Sequence, residues 1–268
     1  MGGVFERLAA LLVDQVPVAL ATVVEGVGVD GPGGHLLVHR TTGNDVEVVG
    51  SLGDPDLDRV VARDALGELS AGRSGIRHYG EHGEARGESV SVFVESFAAP
   101  PRMLVFGAVD FTAALVRVAK VLGYRVTVCD AREIFATTQR FPLADEIVVG
   151  WPDRLLAEMG PGLRPRDAVC VLTHDVKFDV PAIVGALTTS VGYIGVMGSR
   201  RTHENRLKRL REAGVTDEQL ARLRSPIGLD IGARTPEETA VSIVSEIIAL
   251  QTGRSTRALS TTDGPIHD

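Results

Sequence analysis

The sequence predicts an α/β protein in which a C-terminal parallel sheet, covered by helices on both faces, follows a smaller α+β domain. Two observations predict it. Beyond residue 101, short apolar runs alternate with segments of helical periodicity, which is typical of a parallel sheet with helical crossovers. Before that point, a predicted helix precedes several predicted strands, and Pro100 and Pro101 separate the two patterns because proline stiffens the chain.

The N-terminal domain contains two predicted helices and five predicted strands. Apolar residues at helical spacing from Val4 to Leu12 predict the first helix, and those from Leu57 to Leu69 predict the second. Turn-forming residues at positions 41–45 predict a hairpin between two of the strands. The predicted strands are residues 18–24, 35–39 and 46–49 and, on either side of the Gly-rich loop 80–87, residues 76–79 and 89–95.

The C-terminal domain begins after a boundary that we expect near residues 97–102. Helices are predicted at 111–122 and 151–159, and another begins near Thr202. Thr235, Pro236 and Glu238 combine an N-cap, a proline at the first helical position and a capping-box glutamate, so the last helix begins there. The domains are therefore residues 1–98 and 99–253, with a flexible tail at 254–268. The predicted strands are 103–106, 125–129, 146–149, 168–172 and 193–196.

The overall composition argues against several classes of function. A net charge of −7 attracts neither nucleic acid nor an anionic membrane surface. The two cysteines, Cys129 and Cys170, lie in apolar segments, which suits buried thiols in a reducing compartment and leaves no cysteine pair for a metal. Neither a signal-peptide layout nor an apolar run of about 18 residues is present. We therefore expect a cytoplasmic protein that binds no metal through its own side chains, no nucleic acid and no membrane.

A candidate phosphate-binding turn follows the first strand of the second domain and begins with Gly107 and Ala108. In a Rossmann-like fold this turn approaches a pyrophosphate, and its second glycine is needed because a side chain blocks that approach. Here Val109 occupies that position, and Asp110 adds a negative charge. Asp130, about 20 residues on, is where an acidic side chain binds a ribose hydroxyl. In the alternative interpretation, Gly107 only makes a tight turn and Asp130 caps the next helix.

Two further segments follow predicted strands, at the edge where open α/β sheets bind ligands. In the first, Thr173 precedes His174, a candidate acid or base, and Asp175 would either orient that histidine or itself bind a polar ligand. In the second, Gly198 and Ser199 open a helix beside Arg200 and Arg201, a pattern that favours an anion site. The alternative interpretations are a capped loop for the first and a solvated basic helix start for the second.

Seven segments of the second domain form a distinctive set: PRMLVFGA (101–108), VTVCDAR (126–132), RFPLAD (140–145), LTHD (172–175), YIGVMGSRR (193–201), PIGLDIGA (226–233) and TPE (235–237). Together they resemble the XdhC/CoxI family. This resemblance covers nearly all of residues 101–252. It implies an accessory factor for molybdenum hydroxylases, of the xanthine dehydrogenase or carbon monoxide dehydrogenase type, that binds the molybdenum cofactor, supports its sulfuration and delivers it to the apoenzyme, usually as a dimer.

The resemblance also implies a ligand, molybdopterin or its dinucleotide, and a set of residues that would bind it. The candidates for cofactor binding are Gly107, Ala108, Asp130, Arg132, Thr173, His174, Gly198, Ser199 and Arg200.

The N-terminal domain matches the family less closely, and the chain departs from its pattern at three places. Typical members carry a Gly-Gly-Cys-x-Glu run where this chain has residues 53–58, and a second cysteine-glycine motif where it has residues 84–89. The family's turn normally reads Gly-Ala-Gly-His, whereas Val109 and Asp110 stand here. All three departures fall where a ligand would be held.

Three function hypotheses follow. The first is an accessory factor in the maturation of a molybdenum hydroxylase client, which binds cofactor without turnover and is a cofactor chaperone rather than a catalyst. The second is an NAD(P)-dependent oxidoreductase with His174 as the proton donor. The third is a docking partner of an intact paralogue, which retains the fold and lacks the ligand.

Overall fold

A computed structural model describes residues 2–26, 33–41, 45–84 and 89–263 of the chain. The chain divides into two compact units, Met1–Ala99 and Pro100–Asp268. Positions 42–44 of the predicted hairpin turn and positions 85–88 of the predicted Gly-rich loop lie outside the described residues, as does the end of the predicted tail.

The first unit is a five-stranded antiparallel sheet with two helices. The strands lie in the order β3-β2-β1-β5-β4, so the first strand of the chain is central and pairs with β2 and β5. The elements are α1 (Gly2–Val13), β1 (Val18–Gly26), β2 (His35–Arg40), β3 (Val46–Ser51), α2 (Pro55–Ala71), β4 (Gly75–Tyr79) and β5 (Val90–Phe97).

Alternation along β1 produces two cores in this unit, one on each face of the sheet. Ala19 and Ala21 point to the face on which α2 packs through Leu57. Leu20 points to the opposite face and packs with Leu11 of α1. Burial of both faces explains why the strand reads as a continuous apolar run.

The second unit is a six-stranded parallel sheet in the order β11-β10-β9-β6-β7-β8. This is the strand order of a Rossmann fold, and the order reverses between β6 and β9. The predicted fold class is therefore confirmed. The elements are β6 (Arg102–Phe106), α3 (Asp110–Val121), β7 (Arg125–Asp130), β8 (Glu146–Val149), α4 (Pro152–Met159), β9 (Ala168–Val171), α5 (Val176–Leu187), β10 (Tyr193–Val196), α6 (Arg200–Glu212), α7 (Asp217–Leu220), β11 (Leu223–Arg224) and α8 (Pro236–Thr252).

Helices cover both faces of this sheet. Met103 and Val105 of β6 face the core formed with α3 and α8. Leu104 and Phe106 face the opposite core, formed with α4, α5 and α6. All four side chains are fully buried, so the central strand is apolar from Met103 to Phe106.

The main differences from the sequence prediction lie in four elements, one of which is the four-residue helix α7, which was not predicted. Helix α5 was not predicted, because Pro181 lies inside it and β-branched residues and Gly185 lower the helix propensity of the segment. The two-residue strand β11 is too short to have a pattern of its own. Helix α6 begins at Arg200 rather than near Thr202, since the side chain of Ser199 caps it.

The described part of the chain contains no helix that is both long and apolar enough to cross a membrane.

Candidate functional site

The loops after β6 and β9 touch where the strand order reverses. Gly107 has φ +113°, and a Cβ built on it would lie 2.4 Å from Cγ2 of Thr173. No side chain fits in that space, and the positive φ is also unfavourable for any other residue. Two predicted binding segments that are 66 positions apart in the chain are therefore adjacent at the carboxyl edge of the sheet.

Hydrogen bonds within the protein hold the turn that begins at Gly107. The amide of Gly107 donates to the Cys129 carbonyl at 2.8 Å, and the amide of Ala108 donates to Oδ2 of Asp130 at 2.8 Å. Thr112, which occupies the third glycine position, is buried and donates its hydroxyl to the Gly107 carbonyl at 2.5 Å. The turn is thus rigid, and its first two amides already have partners.

The carboxylate of Asp130 is also saturated. Besides Ala108, it accepts hydrogen bonds from the amide, Nε and Nη2 of Arg132 at 2.9, 2.9 and 2.8 Å. A carboxylate offers about four acceptor positions, so all are used. Burial acts to raise the pKa of Asp130, but the bonds from Arg132 and Ala108 outweigh it and lower the pKa. A ribose hydroxyl would therefore have to displace one of these partners.

The loop after β7 places two arginines and an aromatic ring beside the turn. The guanidinium carbons of Arg132 and Arg140 lie 4.6 and 5.5 Å from the centroid of Phe135, so both cations interact with its ring. Arg140 also donates to the Ala108 carbonyl at 2.9 Å and to Oδ1 of Asp110 at 3.2 Å. The negative charge that Asp110 adds at the turn is therefore paired with a cation.

Arg140 and Phe135 were not among the predicted site residues. Arg140 lies in a family-like segment, but nothing in that segment marks it as a ligand residue. The signal that sequence reasoning missed is a phenylalanine between two arginines in the loop that follows an acidic strand end.

A buried polar chain links the loops after β9 and β10. The Thr173 hydroxyl donates to Oδ1 of Asp179, and Nη2 of Arg206 donates to Oδ2 of Asp179 at 3.1 Å and to the Met197 carbonyl at 2.9 Å. The side chains of Asp179 and Arg206 are only 2% and 5% exposed. Burial raises the pKa of Asp179, and the bond from Thr173 and the charge of Arg206 offset part of that effect.

His174 and Asp175 have different surroundings. His174 is exposed and lines a cleft between α5 and α6. Asp175 caps α5, accepting a hydrogen bond from the Lys177 amide at 3.0 Å. The bond with Asp130 raises the pKa of Arg132, and the charge of Asp175 adds to the effect. Asp175 therefore lies close enough to influence Arg132 from across the strand ends.

The third predicted segment forms the start of α6. Gly198 has φ +148°, and a Cβ on it would lie 3.4 Å from Thr202 and from Nη2 of Arg206. The Ser199 hydroxyl accepts from the Thr202 amide at 3.2 Å. Within the described residues, neither Arg200 nor Arg201 forms an ion pair, and both are exposed. The start of α6 therefore carries two guanidinium groups that are available to bind an anion.

The first unit has no thiol at the position where the family carries its first cysteine motif. The carboxylate of Asp54 caps α2 there, accepting from the amides of Asp56 and Leu57 at 3.0 and 2.9 Å. Nδ1 of His82 lies 2.9 Å from its other oxygen. The amides at this helix start are thus satisfied by the protein's own carboxylate. The second departure from the family pattern spans residues 84–89, and the structure describes only Glu84 and Ser89 of that segment.

Both cysteines are buried, and burial raises the pKa of Cys129 to about 12. The pKa of Cys170 is also raised by burial. Over the described ranges, no group of three His, Cys, Asp or Glu side chains is arranged to hold a metal ion.

Two family models match the chain. The model of the XdhC Rossmann domain matches residues 103–247, which is more than half of the chain. The model of the XdhC and CoxI family matches residues 11–80. The two matches fall in the second and the first structural unit respectively.

Curated relatives are similar over part of their length. A protein of Bacillus subtilis described as a probable subunit of xanthine dehydrogenase is 35% identical over 161 residues, which cover 60% of this chain and 46% of that protein. A molybdenum cofactor insertion chaperone of Escherichia coli, PaoD, is 33% identical over 84 residues, which cover 31% of this chain and 26% of that protein. The chain thus spans less than half the length of the curated relatives it matches.

A solved structure shares the fold. The crystal structure of a protein described as a xanthine dehydrogenase from Bacillus halodurans aligns with a TM-score of 0.54 and 24% identity, covering 93% of this chain and 94% of that one. At this identity the similarity supports the fold alone.

Proposed function

The chain belongs to the XdhC and CoxI family, and on that basis we propose that it is an accessory factor in the maturation of a client enzyme, a molybdenum hydroxylase. It would bind the molybdenum cofactor and present it to the client. The relative described as a molybdenum cofactor insertion chaperone supports this role. No step of the proposal requires chemical turnover.

The observation that carries the proposal is the meeting of the Gly107 turn with Thr173 at the reversal of strand order. Ligands of open α/β sheets bind in this crevice. Arg132 and Arg140 lie on one side of it, and Arg200 opens α6 after the neighbouring strand β10. Guanidinium groups bind phosphate oxygens, so the unpaired Arg200 can compensate for a turn whose own amides are engaged, whereas Arg132 and Arg140 already bind carboxylates of the protein.

The same residues fit the organic part of the cofactor better than its metal. A thiolate is a natural soft ligand for molybdenum, but Cys129 and Cys170 are buried with raised pKa values. We therefore propose that this chain holds the cofactor by its phosphate and pterin groups. Phe135, which is 39% exposed between two arginines, offers an aromatic surface on which a pterin ring can stack.

The proposal is tested by calorimetric titration of the purified protein with molybdopterin, with its cytosine dinucleotide and, in parallel, with NADH. We expect one of the pterin species to bind at micromolar concentration. Arg200→Ala removes an exposed, unpaired guanidinium from the crevice and should weaken binding by about tenfold. Arg117→Ala, which removes an exposed arginine of α3 that pairs with Glu237, is the charge-matched control and should bind like the parent.

Each other outcome identifies a different function. Binding of NADH without any pterin species would refute the cofactor role and favour a nicotinamide-dependent oxidoreductase. If no ligand binds, but the protein captures the client or a paralogue equally well with and without Arg200→Ala, the chain is a docking partner. Mass spectrometry of small molecules released from the purified protein provides an independent check.

A further inference from the structure

Helix α6 is strongly cationic in an acidic protein. The chain has a net charge of −7, yet six of its 28 lysines and arginines lie among the 13 residues of α6, beside only two glutamates. Two of the six have a carboxylate partner: Arg206 pairs with Asp179, and Arg211 pairs with Asp217. In the part of the chain that the structure describes, Arg201, Lys208 and Arg209 form no ion pair.

These unpaired cations face an open cleft of about 790 Å³ between the start of α5 and α6. Pockets for small organic ligands have volumes of this order. The buried pair of Asp179 and Arg206 contributes to its lining, and His174 stands at its edge. Because Arg206 neutralises Asp179, the remaining charge of the lining comes from the exposed cations, opposed only by Glu212.

The spacing along α6 indicates the shape of the ligand. Arg201, Asn205 and Arg209 follow each other at intervals of four residues, so they lie on one face of the helix and all line the cleft. Eight residues of helix separate the two arginines by about 12 Å along the axis. A molecule with two separated anionic groups can bind both arginines while each side chain stays over its own helix turn, whereas a single phosphate would draw both side chains toward Asn205.

We propose that this cleft is a second ligand site, which binds an elongated small molecule carrying two separated phosphate or carboxylate groups. Arg201 binds one group, Arg209 and Lys208 bind the other, and the Asn205 amide bonds the segment between them. The cleft adjoins the crevice at Gly107 through His174, but the residues proposed to hold its ligand differ from those proposed to hold the molybdenum cofactor, so the two proposals can fail separately. A small molecule fits better than nucleic acid, which the net charge of the protein repels.

The test uses the full chain and defined probes at about 0.15 M salt, where non-specific surface attraction is screened. Fructose 1,6-bisphosphate represents the two-anion class, and fructose 6-phosphate is the single-anion control. Calorimetry should show the bisphosphate binding at least about tenfold more tightly than the monophosphate. Arg201→Ala and Arg209→Ala should each weaken bisphosphate binding by about tenfold.

Arg211→Ala is the matched control, because it removes the same charge from the same helix outside the cleft; bisphosphate binding should change by less than about twofold. All three side chains are exposed, so we expect each variant to fold. Circular dichroism and thermal unfolding check that it does. Equal binding of the two sugar phosphates, no binding of either, or an equal loss in Arg211→Ala would overturn the proposal. Tighter binding of hexaglutamate than of the bisphosphate would overturn it too, in favour of a protein-docking surface.

Discussion

Gly107 and Thr173 approach so closely that a single methyl group on the glycine would stand 2.4 Å from Cγ2 of the threonine. This contact brings the first and fourth strands of the parallel sheet together at their carboxyl ends. Packing alone therefore requires glycine at position 107, whether or not the turn binds a phosphate.

Gly107→Ala should lower the free energy of unfolding by at least about 2 kcal/mol, because it adds a clash with Thr173 to the strain of a positive φ. Gly123→Ala is the matched control: Gly123 has φ +76°, and a Cβ there meets nothing within 4 Å. Urea unfolding of both variants measures the difference. Adding Thr173→Ser, which removes only the clashing methyl, should recover part of the loss in Gly107→Ala; equal stability of the two glycine variants would contradict the prediction.

Asp130→Asn should destabilise the protein by about 1–3 kcal/mol at neutral pH, because an amide group then faces the donors of Arg132 and Ala108. The pKa of Asp130 is lowered in the folded protein, so its contribution is present above the unfolded value of about 3.9 and is lost as pH falls through the folded pKa. Urea titrations from pH 7 to pH 3 should therefore show the gap between parent and variant closing only in acid. A gap that stays constant down to pH 3 would be inconsistent with this account.

Arg206→Met should cost about 3–5 kcal/mol, because it leaves the carboxylate of Asp179 buried without its cation. Arg211→Met on the same helix removes an exposed pair and should cost less than about 1 kcal/mol. Adding Asp179→Asn to Arg206→Met should restore some stability, since the unpaired charge is removed. Similar losses for Arg206→Met and Arg211→Met in chemical denaturation would show that the buried pair has no special importance.

The pKa of His82 is raised by its bond with Asp54, and the pKa of Asp54 is lowered by the α2 amide of Leu57 and by His82. Any stability from this pair is therefore fully present between about pH 3.9 and pH 6.5; it is lost as pH rises through the folded pKa of His82, and in acid as pH falls through the folded pKa of Asp54. Asp54→Asn keeps a good helix cap but removes the charge. NMR titration of the imidazole should show the His82 pKa falling in that variant, with His78 as the internal control; an unchanged His82 pKa would refute the pairing.

Much of the architecture was predictable because its signals are local. The capping box of Thr235 and Glu238 specifies the start of α8, and the continuous apolar run of β6 specifies a strand buried on both faces. Helix α5 was not predictable in this way, since Pro181 lies within it and its stability comes from packing against the sheet. Asp179 was missed for that reason, and with it the polar chain to Arg206.

The sequence by itself determined the order of the elements, the parallel sheet, the family and the positions at which the chain departs from the family pattern, because periodicity, caps and motifs are properties of neighbouring residues. Only the tertiary structure decided what Asp130 does. Its carboxylate is occupied by Arg132 two residues away and by Ala108, 22 residues away. The tertiary structure also paired Asp179 with Arg206, 27 residues apart. The bonds from Ala108 to Asp130 and from Arg206 to Asp179 depend on how strands are ordered in the sheet, and no local pattern encodes that order.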